Sequence, residues 1–229
     1  MGDFMDFFDL HCDTLTECMD DGDSLLKNER DIDFERGSIF GRWNQVFAVF
    51  VPDSMDDSLV EGYFDSACNF YFDELKKKGD VFPILSSEDV RGHSRGVMLA
   101  MESSRGVGSL ERLEKLYERG LRLITLTWNH KNRAAGGCDE GGGFTDWGRE
   151  LVSKMEKLGI VTDVSHLSDR SFYDLCEFSD APFIASHSDA RAVHNEVRSL
   201  TDEQIKIIIE RGGLIGLNFY DRFLGGNGG

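Results

Sequence analysis

The sequence has no apolar run approaching the roughly 18–20 residues needed to cross a membrane. Its opening residues, Met1-Gly2-Asp3-Phe4, lack the basic stretch of a signal peptide. Position 6 is Asp6, not the Ser or Thr of an N-myristoylation pattern. Basic residues are scarce, with 25 Lys and Arg against 42 Asp and Glu, a formal net charge of -17. Nucleic acid and anionic membranes, which both require a basic surface, are therefore not expected as partners. The acidity is read first as a means of solubility, and bound divalent cations would offset part of it. The five cysteines (Cys12, Cys18, Cys68, Cys138 and Cys176) are odd in number, scattered, and form no CxxC pair. That argues against a disulfide scaffold and against a Cys-type zinc site. Free thiols in a reducing cytoplasm are the simplest account, so the expected location is cytoplasmic.

What remains is an ordinary globular composition, 229 residues with 40% hydrophobic and 29% charged, long enough for a full-sized core. Short apolar runs alternate with amphipathic stretches. Strands are expected at Phe7 to Cys12, Gln45 to Val51, Gly96 to Met101, Leu121 to Thr127, Gly159 to Val164, Pro182 to Ser186 and Leu214 to Phe219, on apolar, β-branched and aromatic content. Helices are expected at Asp57 to Lys78, Ser109 to Arg119, Trp147 to Leu158, Ser168 to Phe178 and Thr201 to Glu210. Ser168 reads as an N-cap, and Thr201 with Gln204 as a capping box. Asn129 to Thr145 interrupts this rhythm. Its five glycines predict a loop with backbone freedom, and it lacks the GK[ST] ending of a phosphate loop.

Strand–helix alternation means parallel strands joined by crossover helices, in a doubly wound sheet or a closed barrel. The expectation is an α/β fold, a (β/α)8 TIM-barrel-like single domain over residues 1–229. About seven strands are counted where eight are needed, and the glycine tail Gly225 to Gly229 stands where an eighth unit should begin.

The polar groups are informative because barrel chemistry gathers at the C-terminal ends of the strands. The first strand ends in His11-Cys12-Asp13, the third in Glu102, the fifth in Asp163 and His166, the sixth in His187. Alternation places His11 and Asp13 on one face, roughly 6–7 Å apart along the backbone, with Cys12 turned the other way. Each has a plain structural reading taken singly: a hydrogen-bonded pair, a helix-cap acid, two packed histidines. Together they make three imidazoles and two carboxylates, a donor set suited to zinc rather than calcium or magnesium. Five ligands exceed one tetrahedral catalytic ion and match two ions sharing a carboxylate.

At these residues the chain resembles the renal (membrane) dipeptidase family. The matching segments are DLHCDTL (Asp9 to Leu15), AMES around Glu102, the stretch Leu123 to Asn129, TDVSHLS (Thr162 to Ser168), APFIASHSDAR (Ala181 to Arg191) and VRSLTDEQI (Val197 to Ile205). The resemblance implies a zinc-dependent dipeptidase with two Zn²⁺: His11 and Asp13 on the first, His166 and His187 on the second, Glu102 bridging. Arg198 matches the arginine that grips the substrate carboxylate, a task suited to a guanidinium fork. The family's substrate-polarising histidine falls after the fourth strand, where Trp128 stands and His130 lies slightly beyond. His130 is taken as the candidate for this catalytic and substrate-binding role, within reach through the glycine-rich loop. His93 and His194 match no ligand position.

The implied reaction is hydrolysis of a dipeptide by a metal-bridging hydroxide. One departure stands out: the family's Gly-Ser-Asp-Phe-Asp-Gly-like motif, whose aspartate moves the proton to the leaving amine, is missing. Lack of a general acid typically lowers the rate by about 10²–10⁴-fold. The alternative is therefore a noncatalytic, metal-binding remnant of such a dipeptidase. Another barrel metallohydrolase, an amidohydrolase, usually opens with HxH, which Asp13 and Glu102 oppose. The expected partners are a small dipeptide, and a homodimer mate or complementing C-terminal segment beside the incomplete sheet.

Overall fold

Parallel pairing requires a long connection between each pair of strands, and helices supply most of these connections. The computed structural model describes residues 5–226; Met1 to Phe4, on which the leader and acylation expectations rest, and Asn227 to Gly229 of the glycine tail lie outside the described residues. In chain order the elements are β1 (Asp6–Asp9), α1 (Thr14–Asp21), β2 (Arg42–Phe50), α2 (Asp57–Lys77), β3 (Phe82–Pro83), α3 (Asp89–Gly92), β4 (Arg95–Glu102), α4 (Leu110–Glu118), β5 (Leu121–Thr125), α5 (Asp146–Leu158), β6 (Val161–Asp163), α6 (Asp169–Phe178) and α7 (Asp202–Glu210).

The sheet runs β1-β2-β4-β5-β6, with the short β3 also on β4, and every pairing is parallel. Single parallel bridges extend it, Asp163 to Ile184 and then Ala185 to Ile215. All seven expected strand segments thus lie in the expected order, curled as part of a barrel. The last two correct the sequence reading: Pro182 to Ser186 and Leu214 to Phe219 hold their places by isolated bridges instead of continuous ladders. Gly213 and Gly216 approach the carbonyls of Phe183 and Ser186 so closely that a Cβ would lie 2.0 Å from each oxygen. Such contact suits glycine and leaves little side chain to zip a ladder.

β2 and β4 are buried on both faces, as the central strands of a parallel sheet should be. One face packs Phe47, Val49, Leu99 and Met101 against Phe64, Tyr71 and Leu113 of the helices. The other carries the smaller set Val46, Ala48, Ala100 and Leu123. The helices begin where the caps predict. Asp56, Ser109, Thr145 and Ser168 accept from backbone N–H groups of the first turns of α2, α4, α5 and α6, and Thr201 and Gln204 form the full capping box of α7. The pairings align Phe50, Glu102, Thr125, Asp163 and Ile184 as one row across the C-terminal end of the sheet. That row positions the site. Among the described residues no helix is long and apolar enough to cross a membrane.

Candidate metal centre

The five side chains expected from sequence converge at this end of the sheet. Glu102, the last residue of β4, is 2% exposed. Its Oε2 lies 3.5 Å from His11 Nε2, which is in turn 3.4 Å from Asp13 Oδ1. Its Oε1 lies 3.1 Å from His166 Nε2 and 3.5 Å from His187 Nε2. One carboxylate oxygen therefore faces the His11–Asp13 pair and the other faces the His166–His187 pair. The rings of His11 and His187 stack at 3.8 Å between centroids. The ligand atoms of His11, Glu102 and His187 all lie within 4.8 Å of one another.

Local backbone brings these groups together in ways that strand alternation does not describe. β1 ends at Asp9, and Asp13 is the N-cap residue of α1. Pairing with β2 nevertheless continues to Cys12, whose N–H and C=O bond Val46 and Ala48, so His11 is held beside the sheet. Cys12 packs against the main core, as expected, and burial raises its thiol pKa. His166 has φ 68, a left-handed conformation unusual for a residue with a Cβ. Its carbonyl is fixed by the Cys138 N–H and the Thr127 hydroxyl, which hold the turn. Ser103, next to Glu102, has φ 82. Non-glycine residues in this region persist where surroundings over-determine them, commonly at functional sites.

Burial drives both His166 and His187 well below the ordinary histidine range, with Arg198 and the His11 charge adding to it. Burial pushes the Glu102 carboxyl up to about 8, against the pull of His11. Burial would lower His11 too, but Glu102 and Asp13 together outweigh it and raise this imidazole to about 9. Burial would raise the Asp13 carboxyl, but the neighbouring His11 imidazole, with Glu102, outweighs it and holds this group below the usual range. Glu102 Oε1 and the Nε2 atoms of His166 and His187 thus face one another, the nitrogens 3.0 Å apart. Asp13 Oδ1 is buried without a hydrogen-bond partner. Buried imidazoles and carboxyl groups converging at this spacing suit a cation that displaces their protons, and neutral imidazoles with carboxylates are the donor types of zinc.

Further polar groups, not singled out as site residues by sequence, hold the imidazoles from behind. Asn129 Oδ1 is 2.7 Å from His166 Nδ1, and Ser186 Oγ is 2.7 Å from His187 Nδ1. Fully buried Asp163 accepts from Ser186 Oγ at 2.5 Å and Thr125 Oγ1 at 2.6 Å, and from the Ser165 and Ser186 amides. The available signal was a carboxylate ending an apolar strand, two residues before Ser165 and three before His166.

Arg198 is 6% exposed and lies behind His187, donating to the His187 carbonyl and to Ser188 Oγ at 2.8 Å each, with its Nε unpartnered. Burial lowers its pKa. The structure does not bring His130 into this group. Its side chain is 54% exposed and bonds Asp53 Oδ2 at 2.7 Å, which raises the imidazole pKa. It lines a separate cavity of about 740 Å³ with Arg105, Arg133 and Trp147. Trp128 instead lines the metal cleft, about 810 Å³, together with Phe7, Phe50, Leu217, Phe219 and Tyr220. The glycine-rich loop is less free than its composition suggests: residues 134–138 are buried, and Gly136 and Cys138 are bonded to Ser168, Ser171 and His166.

Comparison with known proteins agrees with this fold. A crystal structure of a dipeptidase described as a metallopeptidase of family M19 superposes with a TM-score of 0.87 at 25% identity, covering 96% of this chain and 74% of that one. A metallopeptidase from Rhodobacter sphaeroides, solved with a phosphinate mimic of the dipeptide L-Ala-D-Ala, shares the fold with a TM-score of 0.85 at 24% identity, covering 97% and 76%. A Klebsiella pneumoniae protein described as uncharacterized, in the pqqA 5′ region, is 32% identical over 157 residues, which is 63% of this chain and 58% of that protein. The chain spans 48% of a second such relative, from Acinetobacter calcoaceticus. The model of the membrane dipeptidase family, peptidase family M19, matches residues 3–228. With its converging His and carboxylate groups at the end of a curled parallel sheet, the chain belongs to the membrane dipeptidase family, M19.

Proposed function

We propose that this chain hydrolyses the peptide bond of dipeptides with two zinc ions held in the cleft, His11 and Asp13 on one, His166 and His187 on the other, Glu102 between them. The observation that carries this reading is the split of the Glu102 carboxylate, one oxygen toward each pair. Bound zinc would lower the pKa of a shared water toward about 7 and polarise the scissile carbonyl. The chain's own residues bind and orient. Arg198 takes the substrate carboxylate, its fork already anchored through Nη1 and Nη2. The apolar side chains of Phe50 and Trp128 line the cleft where the dipeptide would sit and shield one side of it from water. His130 takes no part while paired with Asp53.

The test is zinc content of the purified chain together with a screen of dipeptides before and after chelation. Two zinc per chain and turnover that chelation abolishes and zinc restores are expected. Turnover untouched by exhaustive chelation would refute the reading. One observation favours the noncatalytic alternative: among the described residues no backbone hydrogen bond joins β1 to segment 213–219, so no ladder closes the sheet there. Zinc uptake with no turnover of any dipeptide would decide for that alternative.

A further inference from the structure

We propose that Asp163 is a positioning residue that fixes the tautomer of His187 through Ser186, presenting the Nε2 lone pair to the metal. This rests on the reading that His187 is a ligand, and it adds the device that makes it one.

The argument is a matter of proton direction. Asp163 is fully buried, and every group on it is a donor: the amides of Ser165 and Ser186 on Oδ1, the hydroxyls of Thr125 and Ser186 on Oδ2. With two donors on each oxygen, the Asp163 carboxyl acts as an acceptor at both. The single proton of Ser186 Oγ is therefore spent on Asp163, at 2.5 Å. The Ser165 hydroxyl, 3.4 Å from Ser186 Oγ, is too distant to compete for it. Ser186 Oγ can then act toward His187 Nδ1, 2.7 Å away, only as an acceptor. So the imidazole proton sits on Nδ1, and Nε2 carries a lone pair aimed at Glu102 Oε1 and His166 Nε2. The carboxylate does not touch the metal ligand. It sets the direction of a two-bond chain that ends on it, from the same row of the sheet as Glu102.

The isosteric change Asp163→Asn reverses that chain. The amide oxygen keeps the two backbone donors, and the NH₂ now faces the hydroxyls as a donor. Ser186 Oγ then accepts from Asn and donates to His187 Nδ1, which moves the imidazole proton to Nε2 and blocks the ligand atom. The loss of an orienting partner behind a metal ligand typically weakens metal affinity by about 10–100-fold.

The experiment uses the full chain, stripped of metal and labelled with ¹⁵N-histidine, with His187 assigned by comparison with His187→Asn. Nitrogen shifts report the tautomer, and competition with a chromophoric chelator reports zinc affinity. In the unsubstituted chain the Nδ1–H form is expected. In Asp163→Asn the Nε2–H form is expected, with zinc affinity weaker by about 10–100-fold. Thr125→Val removes a donor from Asp163 without reversing the chain, so tautomer and affinity should hold. Should Asp163→Asn fail to fold, Ser186→Ala decides, since it leaves Nδ1 without its acceptor: a mixed tautomer and weaker zinc binding support the proposal. A retained Nδ1–H tautomer and undiminished affinity in whichever of these variants folds overturn it, even if the variant is less stable. The tautomer is read without metal, so failure of this proposal and failure of the dipeptidase reading are separate results.

Discussion

At Glu102 two opposing demands meet. Burial favours the protonated acid, whereas a cation held between the His11–Asp13 and His166–His187 pairs would favour the carboxylate. Glu102 is raised to about 8 and His11 to about 9, so at neutral pH the metal-free cluster retains protons that an incoming cation must displace. The sign follows: affinity is weakened below these values, tightens as pH rises through them, and levels off above. Zinc dissociation constants measured from pH 6 to 9 should fall steadily, by up to about tenfold per unit for each proton displaced. Zinc added to weakly buffered protein near pH 7 should acidify the solution. A flat profile would contradict the proton-holding cluster. For Arg198, the fork matters more than the charge. Arg198→Lys keeps a cation but cannot span the His187 carbonyl, Ser188 and a carboxylate at once. KM for dipeptides should rise by about tenfold or more, equivalent to about 1.4 kcal/mol, with kcat changed much less. That His11, Asp13, Glu102, His166 and His187 would gather at one end of the sheet was legible because each stands at or soon after a strand end, a local signal. The support groups Asn129, Asp163 and Ser186 were not, because what each does depends on the direction of hydrogen bonds made only in the folded chain. The fate of His130 was hidden for a related reason, since its partner Asp53 lies 77 residues away.

Among the elements, helix boundaries followed the sequence closely because caps are local chemistry; α7 is capped by Thr201 and Gln204 as expected. The short β3 and helix α1 escaped notice, having too few residues for a period to show. The glycine-rich stretch is a loop as expected, with positive φ at Gly141 and Gly142, but the burial of residues 134–138 was not foreseen. Glycine provides freedom when nothing surrounds it and close approach when something does, and sequence does not distinguish these cases. Gly137 and Gly141 separate the two. A Cβ at Gly137 would lie 2.5 Å from the Asn129 carbonyl oxygen, whereas at Gly141 nothing lies within 4 Å and only φ +77 is unfavourable. Gly137→Ala must therefore displace the residue that holds His166. It should lower the Tm by several degrees, and zinc affinity should fall as well. Gly141→Ala should lower stability by about 1–2 kcal/mol and leave zinc affinity unchanged. Thermal melts and chelator competition on the two variants check the contrast, and equal effects on zinc would show that the loop is not a fixed support.

For the molecule as a whole, the question is what becomes of two sheet edges that are not joined by backbone hydrogen bonds. β1 and segment 213–219 share no backbone hydrogen bonds among the described residues, and both carry exposed apolar side chains: Phe7, Phe8, Leu214, Leu217 and Phe219, the last 82% exposed. An open edge with such a surface favours association. The net charge of -17 opposes it. The two effects differ in range. Charge repulsion acts over roughly a Debye length, about 8 Å at physiological salt and about 3 Å at 1 M, whereas apolar contact acts on touching surfaces. Added salt therefore weakens only the opposing effect. Light scattering behind size exclusion should find concentration-dependent self-association that strengthens from about 0.05 to 1 M salt, the reverse of an assembly held by ion pairs. Phe8→Lys with Leu214→Lys places cations on both edges, outside the residues that line the cleft. It should weaken association at high salt and leave zinc stoichiometry unchanged. A parent chain that stays monomeric at about 100 μM in 1 M salt would show that these edges are already satisfied within one molecule.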